Sequence, residues 1–156
     1  MILAIVSDTH MNLYNVKKVL KDIEKADVLI HLGDNVEDAV YMSQYFRGRT
    51  IYVAGNCDYG IKAKSEVIEE LGGIKFLIAH GHKYGVKGGL ENLKSKALKE
   101  GIQVVLYGHT HISSLKFDDG IWFINPGSLS CGRDGAESYV LLSLENTRIT
   151  PELIIV

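Results

Sequence analysis

Short apolar runs alternate with amphipathic stretches over the first third of the chain. Met1 to Val6 is a continuous aliphatic run followed by polar residues, which is typical of a strand buried on both faces. From Asn12 to Glu24 apolar residues recur at helical spacing, which predicts an amphipathic helix with Asn12 as its N-cap. Asp27 to Leu32 and Thr50 to Ala54 repeat the strand pattern, with a second helix expected over Val36 to Phe46. This β-α-β-α-β order predicts parallel strands joined by right-handed crossovers.

The rest of the chain reads mainly as hairpins. Lys62 to Leu71 and Ile74 to Ala79 flank the turn signal Gly72-Gly73, although the first of these runs would also suit a helix. A third helix is expected after Gly89, followed by a strand over Ile102 to Tyr107. Four more strands and one loop complete the prediction: Ser113 to Phe117, Ile121 to Ile124, the loop Asn125-Pro126-Gly127-Ser128, Ser138 to Leu144 and Arg148 to Val156. We therefore expect mostly antiparallel pairing in this half, and overall an α/β fold of two packed mixed β-sheets flanked by helices.

Length and composition are those of one globular domain, which we assign to residues 1–156. Hydrophobic residues make up 46% of the 156 residues and charged residues 23%, enough for a substantial core. The formal net charge of -2 leaves no general basic surface that could neutralise a nucleic-acid backbone. Nucleic acid is therefore not expected as an obligate partner.

The sequence also bears on location. No apolar stretch approaches the roughly 20 residues that are needed to span a bilayer, so no membrane association is expected. Met1 leads directly into a strand-like run without the basic segment of a signal peptide. The two cysteines could form at most one disulfide. These features predict a cytoplasmic protein.

Five short polar runs are the candidates for chemistry. Five of the six histidines fall in them, and each run follows a predicted strand. Chemistry is often placed at the carboxyl ends of such strands. The runs are Ser7-Asp8-Thr9-His10, Gly33-Asp34, Gly55-Asn56, His80-Gly81-His82 and Gly108-His109-Thr110-His111.

These runs supply oxygen and imidazole nitrogen donors together. Mixed donors suit Mn²⁺, Fe²⁺, Ni²⁺, Co²⁺ or Zn²⁺ better than Ca²⁺ or Mg²⁺, which prefer oxygen alone. Seven donors are too many for one ion but would suit two ions about 3.5–4 Å apart that share a carboxylate. The predicted metal ligands are Asp8, His10, Asp34, Asn56, His80, His109 and His111.

Each run taken alone also has a purely structural explanation. Asp8 could cap the helix that follows it, Asp34 could sit in a turn, and Asn56 could occupy a left-handed turn position. The histidine runs are harder to explain in this way, because they cluster after strands rather than being scattered. His31 lies inside an apolar run, so we expect a core histidine there rather than a metal ligand.

In order along the chain, the runs resemble the signature of the calcineurin-like metallophosphoesterase family: Asp-x-His, Gly-Asp, Gly-Asn-His-Asp/Glu, His, Gly-His-x-His. The resemblance extends from Asp8 to Ser128 and is greatest to the short single-domain bacterial and archaeal phosphodiesterases. It implies an αββα sandwich. It also implies two ligand sets that share Asp34: Asp8, His10, Asp34 and His111 for one metal, and Asp34, Asn56, His80 and His109 for the other.

The resemblance implies an enzyme with two divalent metal ions, Mn²⁺ first among them, that hold a bridging hydroxide for attack on a small phosphodiester. Asp34 and Asn56 would belong to its catalytic machinery. Cys57 departs from the signature, because many members have a histidine there that stabilises the transition state or protonates the leaving alkoxide. Cys57 could donate weakly as part of the catalytic machinery, or it could be only a small packing residue. A thiol is a poor substitute for an imidazolium, which favours diesters with good leaving groups. His82, Arg133 and Asn12 are further candidates for contacts with substrate phosphate.

Two other functions stay open at this point. The family includes the retromer subunit, a weakly active or inert scaffold that binds partner proteins, and it includes phosphomonoesterases and phosphoprotein phosphatases. The complete set of donors argues against a scaffold, and Cys57 argues against a phosphatase. The natural substrate is not predicted, and neither is the choice between a monomer and a homo-oligomer such as a dimer or tetramer.

Overall fold

Ten strands and three α-helices fold into two five-stranded sheets packed face to face. The structure, a computed structural model, describes residues 1–156. Its elements in chain order are β1 (Ile2–Val6), α1 (Leu13–Asp22), β2 (Val28–His31), α2 (Val36–Tyr45), β3 (Arg49–Tyr52), β4 (Glu66–Leu71), β5 (Ile74–Ala79), α3 (Glu91–Glu100), β6 (Val104–Leu106), β7 (Ser113–Asp118), β8 (Ile121–Pro126), β9 (Ser138–Glu145) and β10 (Arg148–Ile155). A short 3-10 helix, His82–Tyr84, follows β5.

Both sheets are mixed, as predicted. The first has the order β10-β9-β1-β2-β3, in which β1, β2 and β3 are parallel and the β9–β10 hairpin is antiparallel to β1. The second has the order β4-β5-β6-β8-β7, in which β5, β6 and β8 are parallel. Its two edge strands, β4 and β7, pair antiparallel with their hairpin partners. The predicted α/β fold of two packed mixed sheets flanked by helices is therefore confirmed.

Two details of the second half differ from expectation. Antiparallel pairing fails at the centre of the second sheet, because α3 is a crossover between β5 and β6 and β8 then aligns parallel to β6. Asn125 and Pro126 end β8 instead of forming a loop. Pro126 is tolerated there because β6 pairs only as far as Ile124, so the missing N–H removes no bond to β6. The ambiguous run before Gly72 is a strand from Glu66.

The two helices of the first half begin by different means. The side chain of Asn12 caps α1 by accepting a hydrogen bond from the Asn15 N–H at 3.2 Å, as predicted. α2 has no side-chain cap of its own at Asn35. Instead Asp58 Oδ1 accepts the N–H groups of Asn35 at 2.9 Å and Val36 at 2.7 Å. A carboxylate from a later loop thus meets the positive end of this helix.

The largest cluster of the core lies between the two sheets. Seventeen buried residues from both sheets form this layer, among them Ile5, Ile78 and Leu106. α1 and α2 cover the outer face of the first sheet and α3 covers that of the second. No helix is long and apolar enough to cross a membrane.

The sandwich brings the polar runs to one edge. Within the first sheet the Asp8 N–H donates to Gly33 O at 3.0 Å, and within the second the Gly108 N–H donates to His80 O at 3.0 Å. Between the sheets, the His109 N–H donates to Asp8 Oδ2 at 3.1 Å. Loops that are far apart in the sequence are therefore joined by hydrogen bonds at the carboxyl ends of the parallel strands.

Candidate metal centre

Three groups of donor atoms meet at this edge. Two of them share one carboxylate, and the third is His10, His111 and Cys131. In each group the donor atoms lie within 4.8 Å of one another. Because Asp34 belongs to both, the two groups form one continuous cluster. They are Asp8, His10, Asp34 and His111 in the first group, and Asp34, His80 and His109 in the second.

Asp8 has one carboxylate oxygen held by the protein and one free. Its Oδ2 accepts hydrogen bonds from the Ser7 hydroxyl and the His109 N–H. Its buried Oδ1 has no hydrogen bond, although the Nε2 atom of His111 lies 3.0 Å away and that of His80 lies 4.0 Å away. Burial acts against the charge of Asp8, but the nearby His111 and His80 outweigh it and lower the pKa of Asp8. A buried charged oxygen without a hydrogen bond fits a cation ligand.

Asp34 stands between the two groups. Its Oδ1 accepts the Cys57 N–H at 2.9 Å, while its Oδ2 lies 3.5 Å from His80 Nε2 and 3.9 Å from His10 Nε2. Burial opposes ionisation, yet the contacts with His80 and Cys57 hold the pKa of Asp34 well below its usual range. The shared carboxylate is therefore ionised at neutral pH.

Two histidines are oriented by backbone oxygens behind them. His80 Nδ1 lies 2.8 Å from Leu32 O, and His111 Nδ1 lies 3.2 Å from Cys131 O. Each Nδ1–H can donate to its carbonyl, which directs Nε2 towards the carboxylates. The adjacent Asp8 raises the pKa of His111 to about 9 against the opposing effect of burial. Burial also opposes the charge of His80, but Asp34 and Asp8 outweigh it and raise the pKa of His80.

The other predicted ligands complete the cluster. His10 Nε2 lies 3.4 Å from His111 Nε2 on the side of the first group. The amide oxygen of Asn56 lies 3.2 Å from His80 Nε2, on the side of the second group. The His109 ring lies 5.1 Å from the His80 ring, and burial together with the charges of His80 and Lys87 lowers the pKa of His109 to about 4. This imidazole is therefore neutral and free to bind a cation at neutral pH.

The backbone of these loops is unusual in conformation. Five of the ten non-glycine residues with positive φ are predicted ligands, with φ between 41° and 69°. Such conformations are costly for residues with a Cβ and are concentrated at functional sites. Glycines make the close approaches possible, because a Cβ on Gly55 would strike Asp34 Oδ1 and one on Gly108 would strike Ser7 Oγ. The five residues are Asp8, His10, Asp34, His109 and His111.

The residues predicted to act on the substrate differ in exposure and in their hydrogen-bond partners. The Cys57 side chain is exposed beside Asn56, and burial and Asp34 raise the pKa of its thiol to about 11. The His82 ring lies 5.4 Å from that of His80, with a buried Nδ1 that has no hydrogen bond. Arg133 is exposed, and its backbone N–H donates to His111 O at 2.8 Å. The Asn12 side chain is occupied with Asn15 N and Leu129 O, so it is not available in the way predicted.

His31 is a core histidine, as expected. It is fully buried, and burial lowers its pKa to about 4. Its Nδ1 accepts the Gly33 N–H at 3.1 Å, so the proton of this neutral ring is on Nε2, which lies 3.1 Å from Thr9 Oγ1. His31 thus joins two of the ligand-bearing loops without reaching the cluster.

Three residues next to the cluster were missed by the sequence reasoning. Asp58 Oδ2 accepts the N–H groups of Asp34 at 3.0 Å and Gly55 at 2.7 Å. The Cys131 Sγ lies 3.1 Å from His111 Nδ1. The Ser128 hydroxyl donates to Asp8 O at 2.8 Å. Asp58 occupies the Asp/Glu position of the family signature, and Ser128 is the residue at which the resemblance ends, so both could have been found; only its place in a polar loop could have indicated Cys131.

The donor set fits divalent cations. Two charged carboxylates, one amide oxygen and four imidazoles form a mixed oxygen and nitrogen set of the kind that first-row transition metals prefer. The orphan oxygen of Asp8 and the shared position of Asp34 both suit a pair of cations. Cys57 and Cys131 are both free thiols, so no disulfide constrains these loops.

Residues 1–147 match the calcineurin-like phosphoesterase superfamily domain. The chain belongs to this superfamily. Among its relatives is a probable metallophosphoesterase of Bacillus subtilis, 34% identical over 150 residues that cover 94% of this chain and 86% of the relative. A phosphodiesterase of Methanocaldococcus jannaschii is 31% identical over 149 residues, covering 83% of this chain and 84% of that protein. The resemblance inferred from the five polar runs is thus confirmed, and the superfamily implies divalent metal ions.

Solved structures share the fold along the whole length of this chain. A predicted phosphoesterase from Streptococcus pneumoniae superposes with a TM-score of 0.84 at 25% identity, covering 99% of this chain and 88% of that one. Vps29 from Entamoeba histolytica, solved in complex with Zn²⁺, gives a TM-score of 0.78 at 17% identity, covering 99% of both chains. At that identity the second likeness shows the fold alone. The fold is thus found both in phosphoesterases and in Vps29.

Proposed function

We propose that this phosphoesterase is a metal-dependent phosphodiesterase that works with two divalent cations. The observation that carries the proposal is the position of Asp34, whose carboxylate belongs to both groups of donors. When bound, the cations would neutralise charge on the phosphate and lower the pKa of water so that it can act as the nucleophile. A relative with 31% identity is a phosphodiesterase, which supports the same reaction.

The chain's own residues would fix the geometry of the reaction. Asp8, His10, Asp34 and His111 would hold one cation, and Asp34, Asn56, His80 and His109 the other. Leu32 O and Cys131 O keep two of the imidazoles pointed inwards, so little reorganisation is needed on binding. Asp58 fixes the backbone of Asp34 from behind. This pre-organisation is the part of catalysis that the protein itself provides.

The leaving group decides which esters react. Cys57 is the exposed side chain beside Asn56, and its thiol, with a pKa of about 11, remains protonated at neutral pH. Such a thiol is a far weaker acid than an imidazolium with its ordinary pKa of about 6.5. Diesters whose leaving oxygen departs without a proton would therefore react best. Phosphomonoesters of alcohols would react poorly.

His82 would act on the substrate rather than on the cations. It lies outside both donor groups, although its ring is 6.1 Å from that of His109. Burial and the charge of His80 lower its pKa, so the ring is neutral at pH 7. We assign it to hydrogen bonding with a phosphate oxygen or the leaving group.

The test is a comparison of esters across metals. Bis(p-nitrophenyl) phosphate and p-nitrophenyl phosphate would be assayed with Mn²⁺, Ni²⁺, Mg²⁺ and Zn²⁺, with a chelator as control. We expect the diester to be hydrolysed faster, with Mn²⁺ among the best activators and no activity in chelator. Because both esters release p-nitrophenolate, this preference reports on the phosphate that is recognised and not on the leaving group. Activity that survives complete removal of metal would contradict the proposal. No hydrolysis of either ester with any metal would favour a scaffold of the Vps29 kind instead.

A further inference from the structure

A cleft of about 340 Å³ opens beside the loop that carries His109 and His111. Thr110, the residue between these two histidines, lines the cleft, so it adjoins the metal centre directly. The volume of the cleft lies within the range of small-molecule sites. No residue that we assign as a metal ligand lines it. The lining residues are Val86, Lys87, Tyr107, Thr110, Ile112, Ser114 and Arg133.

The lining of this cleft is cationic. Lys87 and Arg133 are the two charged residues of the lining, and no acidic side chain lines it. Neither cation takes part in any of the ion pairs or side-chain hydrogen bonds of the protein. The lining also includes the hydroxyl-bearing residues Thr110 and Ser114 and the buried Tyr107. The whole chain has a net charge of -2, so two unpaired cations in one cleft are a local exception.

Both cations extend from backbone that is fixed. The backbone N–H of Arg133 donates to His111 O at 2.8 Å. The side chain of the next residue, Asp134, accepts the Ser113 N–H at 2.7 Å and the Ser113 hydroxyl at 2.6 Å. Asp134 is the nearest acidic residue in sequence, and Ser113 occupies it. Lys87 follows Val86, which is buried in the same apolar cluster as Tyr107. The two side chains are therefore anchored at the rim of the cleft.

We propose that this cleft binds a second phosphate group of the substrate, held by Lys87 and Arg133, while the metal centre acts on the adjoining phosphodiester. The proposal rests on the proposed function and narrows its substrate class to phosphodiesters that carry a further phosphate. A guanidinium and an ammonium together match phosphate well, because the guanidinium binds two oxygens at once and the ammonium adds charge. The Thr110 hydroxyl already donates to Ile112 O and accepts from Asn125 Nδ2, so the two cations are the groups that hold the phosphate.

Two pairs of probes that differ only in the second phosphate test this assignment. The substrates are the p-nitrophenyl ester of thymidine 5′-phosphate and the same ester with a 3′-phosphate. The ligands are thymidine 5′-monophosphate and thymidine 3′,5′-bisphosphate, whose affinities are measured by calorimetry on the Mn²⁺-loaded protein. We expect the 3′-phosphate to improve kcat/KM and affinity by about tenfold, the effect of one or two charge-assisted hydrogen bonds.

The variants are Lys87→Gln/Arg133→Gln and a control, Lys99→Gln/Arg148→Gln, which removes the same formal charge from exposed positions outside the cleft. In the first variant, kcat/KM should become nearly equal for the two substrates, mainly through KM, and the two ligands should bind with nearly equal affinity. The control variant should keep the wild-type preference for the 3′-phosphate in both measurements. Equal values for the two probes of each pair in the wild type would overturn the proposal, as would an unchanged preference in the first variant. If neither ester is hydrolysed but the bisphosphate binds about tenfold more tightly, the anion subsite is upheld and the phosphodiesterase function fails.

Discussion

The side chain of Asp58 holds the backbone of Asp34 and not the Asp34 carboxylate. Asp58 Oδ2 accepts the Asp34 N–H at 3.0 Å, and the same carboxylate also accepts the N–H groups of Gly55, Asn35 and Val36. One acidic side chain thus ties the loop after β2 to the loop after β3 and caps α2. The position of the shared ligand Asp34 depends on this arrangement.

Replacing Asp58 should therefore affect both stability and metal binding. Asp58→Ala leaves four backbone N–H donors without their acceptor, and we expect a loss of about 2–4 kcal/mol of unfolding free energy. Metal content after dialysis should fall as well, because Asp34 and Asn56 lie on the two loops that are released. Urea denaturation and elemental analysis measure the two effects.

The matched control is Asp22→Ala, since the Asp22 side chain is exposed at the end of α1 and makes no hydrogen bond or ion pair. Its unfolding free energy should stay within about 0.5 kcal/mol of the wild type. An Asp58→Ala protein that is as stable as this control would refute the role of Asp58.

Metal stoichiometry should separate the shared ligand from the others. His109→Ala removes a donor from the second group only, so we expect one tightly bound ion instead of two. Asp34→Asn removes the charge common to both groups and should weaken both ions. Hydrolysis of an aryl phosphodiester should fall in each variant by more than the roughly 10²-fold that loss of an outer-shell partner costs. Titration with Mn²⁺ followed by calorimetry counts the sites, and two unperturbed sites in Asp34→Asn would exclude the bridging position.

Metal binding should depend on pH through His111. Its pKa of about 9 means that the metal-free protein carries a proton on this ring at pH 7, which a cation must displace. The apparent affinity of the first group should therefore rise about tenfold per pH unit from pH 7 until it levels off near pH 9. Calorimetry in two buffers of different ionisation enthalpy would detect the released proton, and a pH-independent affinity between 7 and 9 would contradict this assignment.

The same proton predicts how the metal-free protein responds to pH. The pKa of His111 is raised in the folded state above its ordinary 6.5, so the attraction between His111 and Asp8 contributes its full stability below pH 6.5. That contribution is lost as the pH rises through about 9. Thermal unfolding should therefore occur at a lower temperature at pH 9 than at pH 6.5, and His111→Gln should remove this part of the dependence.

Restoring an imidazole at position 57 should broaden the range of substrates. In Cys57→His the side chain could donate a proton at neutral pH, whereas the thiol, with its pKa of about 11, is a weak acid. We expect hydrolysis of esters with poor leaving groups to rise by about 10²-fold, and that of p-nitrophenyl diesters, which need little acid catalysis, to change much less. Cys57→Ser is the control for a small polar side chain. A similar gain in both variants would show that proton donation is not the limiting feature.

The local pattern of apolar and polar residues was enough to predict most of the strands, the helices and the candidate metal ligands. The apolar runs that end at Val6, Leu32 and Ala79 are strands because their residues suit a buried pleated surface, and periodicity located all three helices within a few residues. The order of the polar runs was sufficient to recognise the superfamily, because a ligand set on strand ends leaves its trace in the sequence. The seven predicted ligands are close together for the same reason.

Tertiary structure alone decided what depends on contacts between distant segments. Sequence periodicity cannot tell whether β8 pairs parallel to β6, because strands of either direction have the same alternation of side chains. It could not show that Asp58 reaches across to α2, or that Lys87 and Arg133 line one cleft, since 46 positions separate those cations and only packing brings them together. The identity of the donors was thus encoded locally. Their shared carboxylate, its support and the charge beside it come from the folded sandwich.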